Sequence, residues 1–161
     1  MAPWLEAGGP VVIIGPLWLG EALSTKVPVA LLIEPEERRR ARRVARRAAT
    51  AGRNLTIIVA GVDLPLGAGS VGSLVVDGAA TLDADAIARW IAVLIPTLRP
   101  GGRLIAADVT ANPAVEARLA GLFLSAALIE IVQERPRDGV LLTVGVAAAR
   151  SLVAARFDLS A

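Results

Sequence analysis

The sequence has no cysteine, no histidine and no tyrosine, and Lys26 is its single lysine. These gaps exclude a disulfide framework, a thiolate nucleophile, a thiolate or imidazole metal centre, and a Ser-His-Asp triad. Without histidine, no side chain titrates near neutral pH of its own accord. Acid–base chemistry would fall to a shifted carboxylate, to Lys26 or to the N-terminus. Aromatic residues make up 3% of the chain, too few to interleave with basic residues as a platform for stacked bases. There is no run of about 18 apolar residues, so no membrane-spanning helix is expected. The opening Met-Ala-Pro-Trp-Leu-Glu has no basic region of the kind that starts a secretory leader. Lack of cysteine fits a cytoplasmic protein.

What is present is a globular composition: 161 residues, 55% hydrophobic and 20% charged. That length suits one domain, with a core of about residues 10–147 and a C-terminal tail at 148–161. The net charge is +2, and the pI near 10.3 overstates the basicity because few groups buffer between the carboxylates and the arginines. The distribution is more telling. Seven of the 17 basic residues lie between Arg38 and Arg47, and without them ten positive charges face 15 negative ones.

Buried strands alternate with helices along the chain. Val11–Ile14 is a short β-branched run closed by Gly15-Pro16, and a helix is expected from about Leu19 or Gly20 to just before Pro28. Val29–Ile33 is a second strand ending at Glu34. The clearest helix runs from about Pro35 to Ala51. At about 100° per residue, Arg38, Arg39, Arg40, Arg42, Arg43, Arg46 and Arg47 share one broad arc, and Ala41, Val44, Ala45 and Ala48 share the other. A third strand covers Leu55–Ala60, then a glycine-rich loop covers 61–73. A fourth strand from Leu74 ends at Asp77, Asp83 caps a further helix, and Arg99-Pro100-Gly101-Gly102 breaks the chain. A fifth strand, Arg103–Val109, again holds an acid near its end, Asp108. Pro113 to about Ala127 is a helix apolar nearly all round, either fully buried or an interface for self-association. Leu128–Gln133 and Val140–Val146 flank a hairpin turn. The fold expected is an α/β three-layer sandwich, with a mostly parallel sheet of about seven strands and an antiparallel strand in a C-terminal hairpin.

This order resembles the class I S-adenosylmethionine-dependent methyltransferase family over about residues 10–147. Ile95-Pro-Thr-Leu-Arg-Pro-Gly-Gly-Arg-Leu-Ile-Ala-Ala-Asp108 is similar to the family's L-K/R-P-G-G-x-L segment. Leu64-Pro65-Leu66 with Gly69-Ser-Val-Gly-Ser-Leu-Val-Val76 is similar to its LPF…GSFDLVV segment. The resemblance implies an S-adenosylmethionine site at Gly15, Glu34, Gly61, Asp63 and Asp77, with Glu34 on the ribose hydroxyls and Asp63 near the adenine amino group.

The first family motif, an acid followed by Gly-x-Gly-x-Gly, keeps only Gly15. Ile13 stands for the acid, and Leu17 and Leu19 stand for the later glycines, where a side chain would take ligand space. Gly72 replaces an aspartate. Only about ten residues precede the first strand, and nothing in the sequence reads as a lid. Trp18 reads as an apolar plug or a contact to another chain, with a stacking platform as the other reading.

The expectation is a degenerate, non-catalytic binding or scaffold subunit that self-associates as a homodimer without bound cofactor. One alternative is an active S-adenosylmethionine-dependent methyltransferase whose substrate is covered by a partner chain. A second is an accessory nucleic-acid-binding protein, with Arg38, Arg39, Arg42, Arg43, Arg46 and Arg47 touching the polyanion and no membrane involved.

Overall fold

The computed structural model describes residues 9–59, 66–81, 83, 85–86, 92–137 and 139–148, with the side chain of Arg137 excepted. Seven strands form one sheet: β1 (Val11–Ile14), β2 (Val29–Ile33), β3 (Leu55–Val59), β4 (Val71–Asp77), β5 (Leu98–Val109), β6 (Leu128–Arg137) and β7 (Val140–Ala147), in the order β3-β2-β1-β4-β5-β7-β6. Strands β1 to β5 pair in parallel, and β7 runs antiparallel to both β5 and β6. Three helices are complete among the described residues: α1 (Leu17–Leu23), α2 (Arg38–Thr50) and α3 (Pro113–Ser125). The expected α/β sandwich is therefore the observed architecture.

Side-chain alternation along the strands explains the two layers. Val11, Ile13, Leu31 and Ile33 face one side of the sheet, where they pack with Leu17 of α1 and with Ala41 and Val44 of α2. Val12, Leu74, Leu104 and Ala106 face the other, packing with Leu119 and Phe123 of α3. A strand buried on both faces has no polar position, which is why these runs are continuously apolar.

Several boundaries differ from expectation. Helix α1 begins at Leu17, immediately after Pro16, and Pro16 offers no side-chain cap that would announce a start. A 3₁₀ turn, Pro35–Glu37, precedes α2. Strand β4 starts at Val71, because Val71 and Ser73 are buried and pair with β5, and buried Gly72 between them donates its N–H to the Pro10 carbonyl at 3.1 Å. The Arg-Pro-Gly-Gly segment does not end the strand ladder. Val71 pairs with Leu98 and Ser73 with Arg103, so 99–102 bulge out inside β5. Strand β6 continues to Arg137 along the sheet edge, where polar residues can face solvent. Asp83 does cap a helical start, accepting the Ala86 N–H at 2.6 Å. Residues 87–91 of that expected helix lie outside the described residues.

Helix α3 is not fully buried, and its exposed side carries Arg118 and Ser125 beside apolar residues. Leu119 and Phe123 enter the core, Val115 and Leu122 pack against it, and Ala114, Ala117, Gly121 and Leu124 face outward.

Candidate functional site

In this strand order the chain leaves β1 toward β2 and β3 on one side and continues from β4 to β5 on the other. The switch point lies between β1 and β4, and open α/β sheets place their ligand crevice outside the carboxyl ends of the strands there. The register puts Ile14 beside Leu32 and Val76, and Asp77 beside Ala107. Gly15, Glu34, Asp77 and Asp108 therefore stand at one edge of the sheet. Gly61 and Asp63 lie outside the described residues.

Gly15 is explained by its neighbour across the switch point. A Cβ there would lie 2.9 Å from the Asp77 Cβ, closer than two carbons tolerate. The space saved by the glycine is thus taken by Asp77. Only Gly15 and Pro16 separate β1 from α1. Leu17 does not stand in the crevice, contrary to expectation, because the immediate start of α1 turns its side chain into the core, where it is 5% exposed. Leu19 is half-buried and leans toward Gly15, its Cδ2 lying 3.8 Å from where a Gly15 Cβ would be. Trp18 is 64% exposed, so it is not a plug. Gly20 is a second close approach. A Cβ there would meet the Leu31 side chain at 3.0 Å, so this glycine lets α1 lie on β2. Gly15 and Gly20 have the spacing of the outer glycines in Gly-x-Gly-x-x-Gly, with Leu17 in the middle place. That five-residue spacing is the signal in the sequence for Gly20.

Glu34 is exposed at the end of β2, and its carbonyl accepts the Glu37 N–H at 3.1 Å. Its carboxylate makes no cap hydrogen bond and is free to meet a hydroxylated ligand. Asp77 is half-buried, and burial raises its carboxyl above the ordinary range.

Asp108 joins these site residues, although only its place at a strand end marks it in the sequence. It is 3% exposed. One carboxylate oxygen, Oδ1, accepts the Ala80 N–H at 2.6 Å, and the Gly78 N–H donates to the Ala107 carbonyl at 2.8 Å. These bonds tie the exit of β4 onto β5. The other oxygen, Oδ2, is buried without a hydrogen-bond partner among the described residues. Burial raises the Asp108 carboxyl first, the Ala80 bond opposes this, and the nearby Asp77 charge adds to it.

A raised native value means that the unfolded chain releases this proton first as pH climbs past about 4. Stability should then fall with rising pH until the native Asp108 carboxyl also ionises. Urea unfolding at pH 4, 5.5 and 7 should show a smaller loss across this range in Asp108→Asn than in the wild type. Asp77, raised in the same direction, supplies the residual slope. Identical profiles for the two proteins would show that Asp108 carries no such strain.

An apolar hollow of about 340 Å³ lies at the opposite end of the sheet, between Ala68, Ile95, Pro96, Leu98 and Leu128. Every side chain lining it is apolar, so nothing there orients a polar ligand. No group of three or more metal-binding side chains occurs among the described residues.

No protein-family model matches the sequence, and a search of curated proteins finds no relative. Solved structures do match. One is a chain of the complex between the Haloferax volcanii Trm112 methyltransferase activator and a methyltransferase, with 23% identity, a TM-score of 0.64, and 89% of this chain covering 84% of that one. An S-adenosylmethionine-dependent methyltransferase from Aquifex aeolicus has 14% identity and a TM-score of 0.66, with coverage of 89% and 85%. Another from Methanosarcina mazei has 15% identity and a TM-score of 0.66, with coverage of 92% and 99%. The chain has the class I methyltransferase-like fold.

In this methyltransferase-like fold two residues link β1 to α1, the glycine of that link closely faces Asp77, and Leu17, in the place of the motif's middle glycine, lies in the core. Among the described residues of the expected site, Glu34 is exposed, and Gly15 and Asp77 are half-buried. No helix among the described residues is long and apolar enough to cross a membrane.

The arginines of α2 form a second candidate surface. Arg38, Arg39, Arg40, Arg42, Arg43, Arg46 and Arg47 are all exposed, while Ala41, Val44 and Ala48 are buried. Arg47 reaches Glu21 of α1 at 3.3 Å, and Arg53 reaches the same carboxylate at 3.8 Å. Glu36 and Arg40, spaced for an i,i+4 pair, form no ion pair. Four Arg–Arg pairs at i,i+4 remain (38/42, 39/43, 42/46 and 43/47), each unfavourable by about 0.2–0.5 kcal/mol in an isolated helix.

Proposed function

We propose that this chain is a non-catalytic binding subunit built on the methyltransferase fold, working in the cytoplasm without a bound cofactor and self-associating. The observation that carries this reading is the two-residue link between β1 and α1, which sends Leu17 into the core and leaves no glycine-lined loop between those two elements. Self-association is supported by the outer face of α3, where Ala114, Ala117 and Gly121 would let a second copy approach closely and Leu124 is 67% exposed.

A second reading is an active S-adenosylmethionine-dependent methyltransferase. It is favoured by Asp77, a desolvated carboxylate at the switch point that would hold a substrate proton more readily than an ordinary aspartate. A partner chain would then cover the substrate, as the pairing of a methyltransferase with an activator protein in one structural neighbour suggests.

Titration calorimetry separates the two. The binding-subunit reading predicts no heat of binding with S-adenosylmethionine or S-adenosylhomocysteine up to millimolar concentration. The enzyme reading requires micromolar affinity, and ligand at about 100 times its Kd would then stabilise the fold by about 2.7 kcal/mol.

A further inference from the structure

The arginine face of α2 is the strongest charged patch among the described residues, and neither function proposed for the crevice uses it. The guanidinium groups of Arg38, Arg39, Arg40, Arg42, Arg43 and Arg46 make no hydrogen bond or ion pair with the described residues. A solvated helix face ordinarily mixes signs, so that each basic residue has an acid one turn away. For Arg42, Arg43 and Arg46 the positions one turn away hold arginine, alanine or threonine and no acid, while Glu36 lies one turn before Arg39 and Arg40. Glu34, Glu36 and Glu37 lie before the N-terminal end of α2, which leaves the stretch from Arg39 to Arg46 as the purely basic part.

We propose that this face binds the phosphate backbone of double-stranded nucleic acid. Arg39 and Arg43 form one ridge and Arg42 and Arg46 another, with members of each ridge about 6 Å apart along the helix axis. Flat guanidinium groups in such rows suit a partner that repeats a phosphate at regular intervals, because each can donate two hydrogen bonds to one phosphate.

The residues between them rule against other partners. No aromatic side chain lies on α2, so single-stranded bases have no platform. The apolar residues Ala41, Val44 and Ala48 are committed to the core, so nothing is left to enter a bilayer. Only alanine and Thr50 separate the arginines on the outer face, so a protein partner would find no large apolar anchor. No asparagine or glutamine is present to pair with an adenine edge. Arginine also pairs with guanine edges, and the two unrelated duplex sequences below separate that readout from the sequence-indifferent phosphate contact proposed here.

Fluorescence anisotropy of the full chain tests this, using labelled 24-base-pair DNA duplexes of two unrelated sequences and an RNA duplex of equal length. With three or four phosphates neutralised, affinity should drop about 40- to 150-fold between 50 and 200 mM salt. The three duplexes should bind within about threefold of one another. The quadruple variant Arg39→Gln, Arg42→Gln, Arg43→Gln, Arg46→Gln should lose at least tenfold in affinity and flatten the salt dependence. It should also unfold at a temperature no lower than the wild type, since it removes like-charge repulsion and glutamine forms helix well. Arg118→Gln, on the exposed side of α3, should bind as the wild type does.

The proposal is overturned by absence of binding at 50 mM salt, by full affinity in a folded quadruple variant, by preference for one duplex above tenfold, or by tighter binding to phosphatidylserine vesicles than to any duplex. None of these outcomes depends on whether the crevice holds a nucleoside.

Discussion

Replacing Leu17 by alanine should destabilise the protein by about 2–4 kcal/mol, the usual cost of emptying a buried leucine site. For a chain of this size, that corresponds to a fall of about 10 °C in Tm. The expectation rests on where the side chain goes. In a Gly-x-Gly-x-x-Gly turn the middle residue faces the ligand and must be small. Here the middle position is Leu17, 5% exposed and packed with Ile13, Leu31 and Ala41. Its neighbour Trp18 is 64% exposed, so Trp18→Ala should change stability by no more than about 0.5 kcal/mol. The contrast between adjacent residues is the informative part, because it reports the direction of the chain at the start of α1. Differential scanning calorimetry reads both. A Leu17→Ala protein as stable as the wild type would mean that this leucine points into the crevice.

Phe123 and Leu124 make a second adjacent pair, with larger effects. Phe123 is 3% exposed and belongs to the cluster of Leu119, Leu128 and Leu141, so Phe123→Ala should cost about 3–5 kcal/mol. Leu124 is 67% exposed near the last turn of α3, where a cation is favourable to the helix dipole. Leu124→Lys should therefore leave the monomer's stability within about 0.5 kcal/mol of the wild type. If α3 carries the self-association, sedimentation velocity should find the wild type as a dimer and Leu124→Lys as a monomer. A wild type that sediments as a monomer, or a Leu124→Lys dimer of unchanged affinity, would remove α3 as the interface.

The sheet was legible because burial on both faces leaves runs such as Val11–Ile14 and Val29–Ile33 with no polar residue to confuse the pattern. Helix α2 was legible because its arginines and its small apolar residues occupy opposite arcs. The failures have local causes. Helix α1 starts after a proline with no capping side chain, so its first turn looks like loop and Leu17 looks like a ligand-facing residue. Gly20 is hidden by reading the motif as Gly-x-Gly-x-Gly, which puts Leu19 where the third glycine should be. The longer spacing finds it, and its absent side chain is what seats α1 on Leu31.

Glycines and proline at 100–102 read as a break because such residues usually end elements, yet an extended ladder can carry them as a bulge. At the candidate site, Gly15, Glu34 and Asp77 were legible from their positions at strand ends. What periodicity could not supply was the close approach of Gly15 to Asp77, which depends on which strands become neighbours. Asp108 was visible as an acid near a strand end. Its partnerless Oδ2 follows only from the way residues 78–80 fold onto β5.

We propose that the turn between β1 and α1 is closed against a nucleoside. The most direct measurement is an amide-resolved NMR titration of the full chain with S-adenosylhomocysteine to millimolar concentration, following Gly15, Leu17, Trp18 and Glu34. The closed turn predicts that these signals stay in place. Saturable shifts at Gly15 and Leu17 with a micromolar midpoint would contradict it.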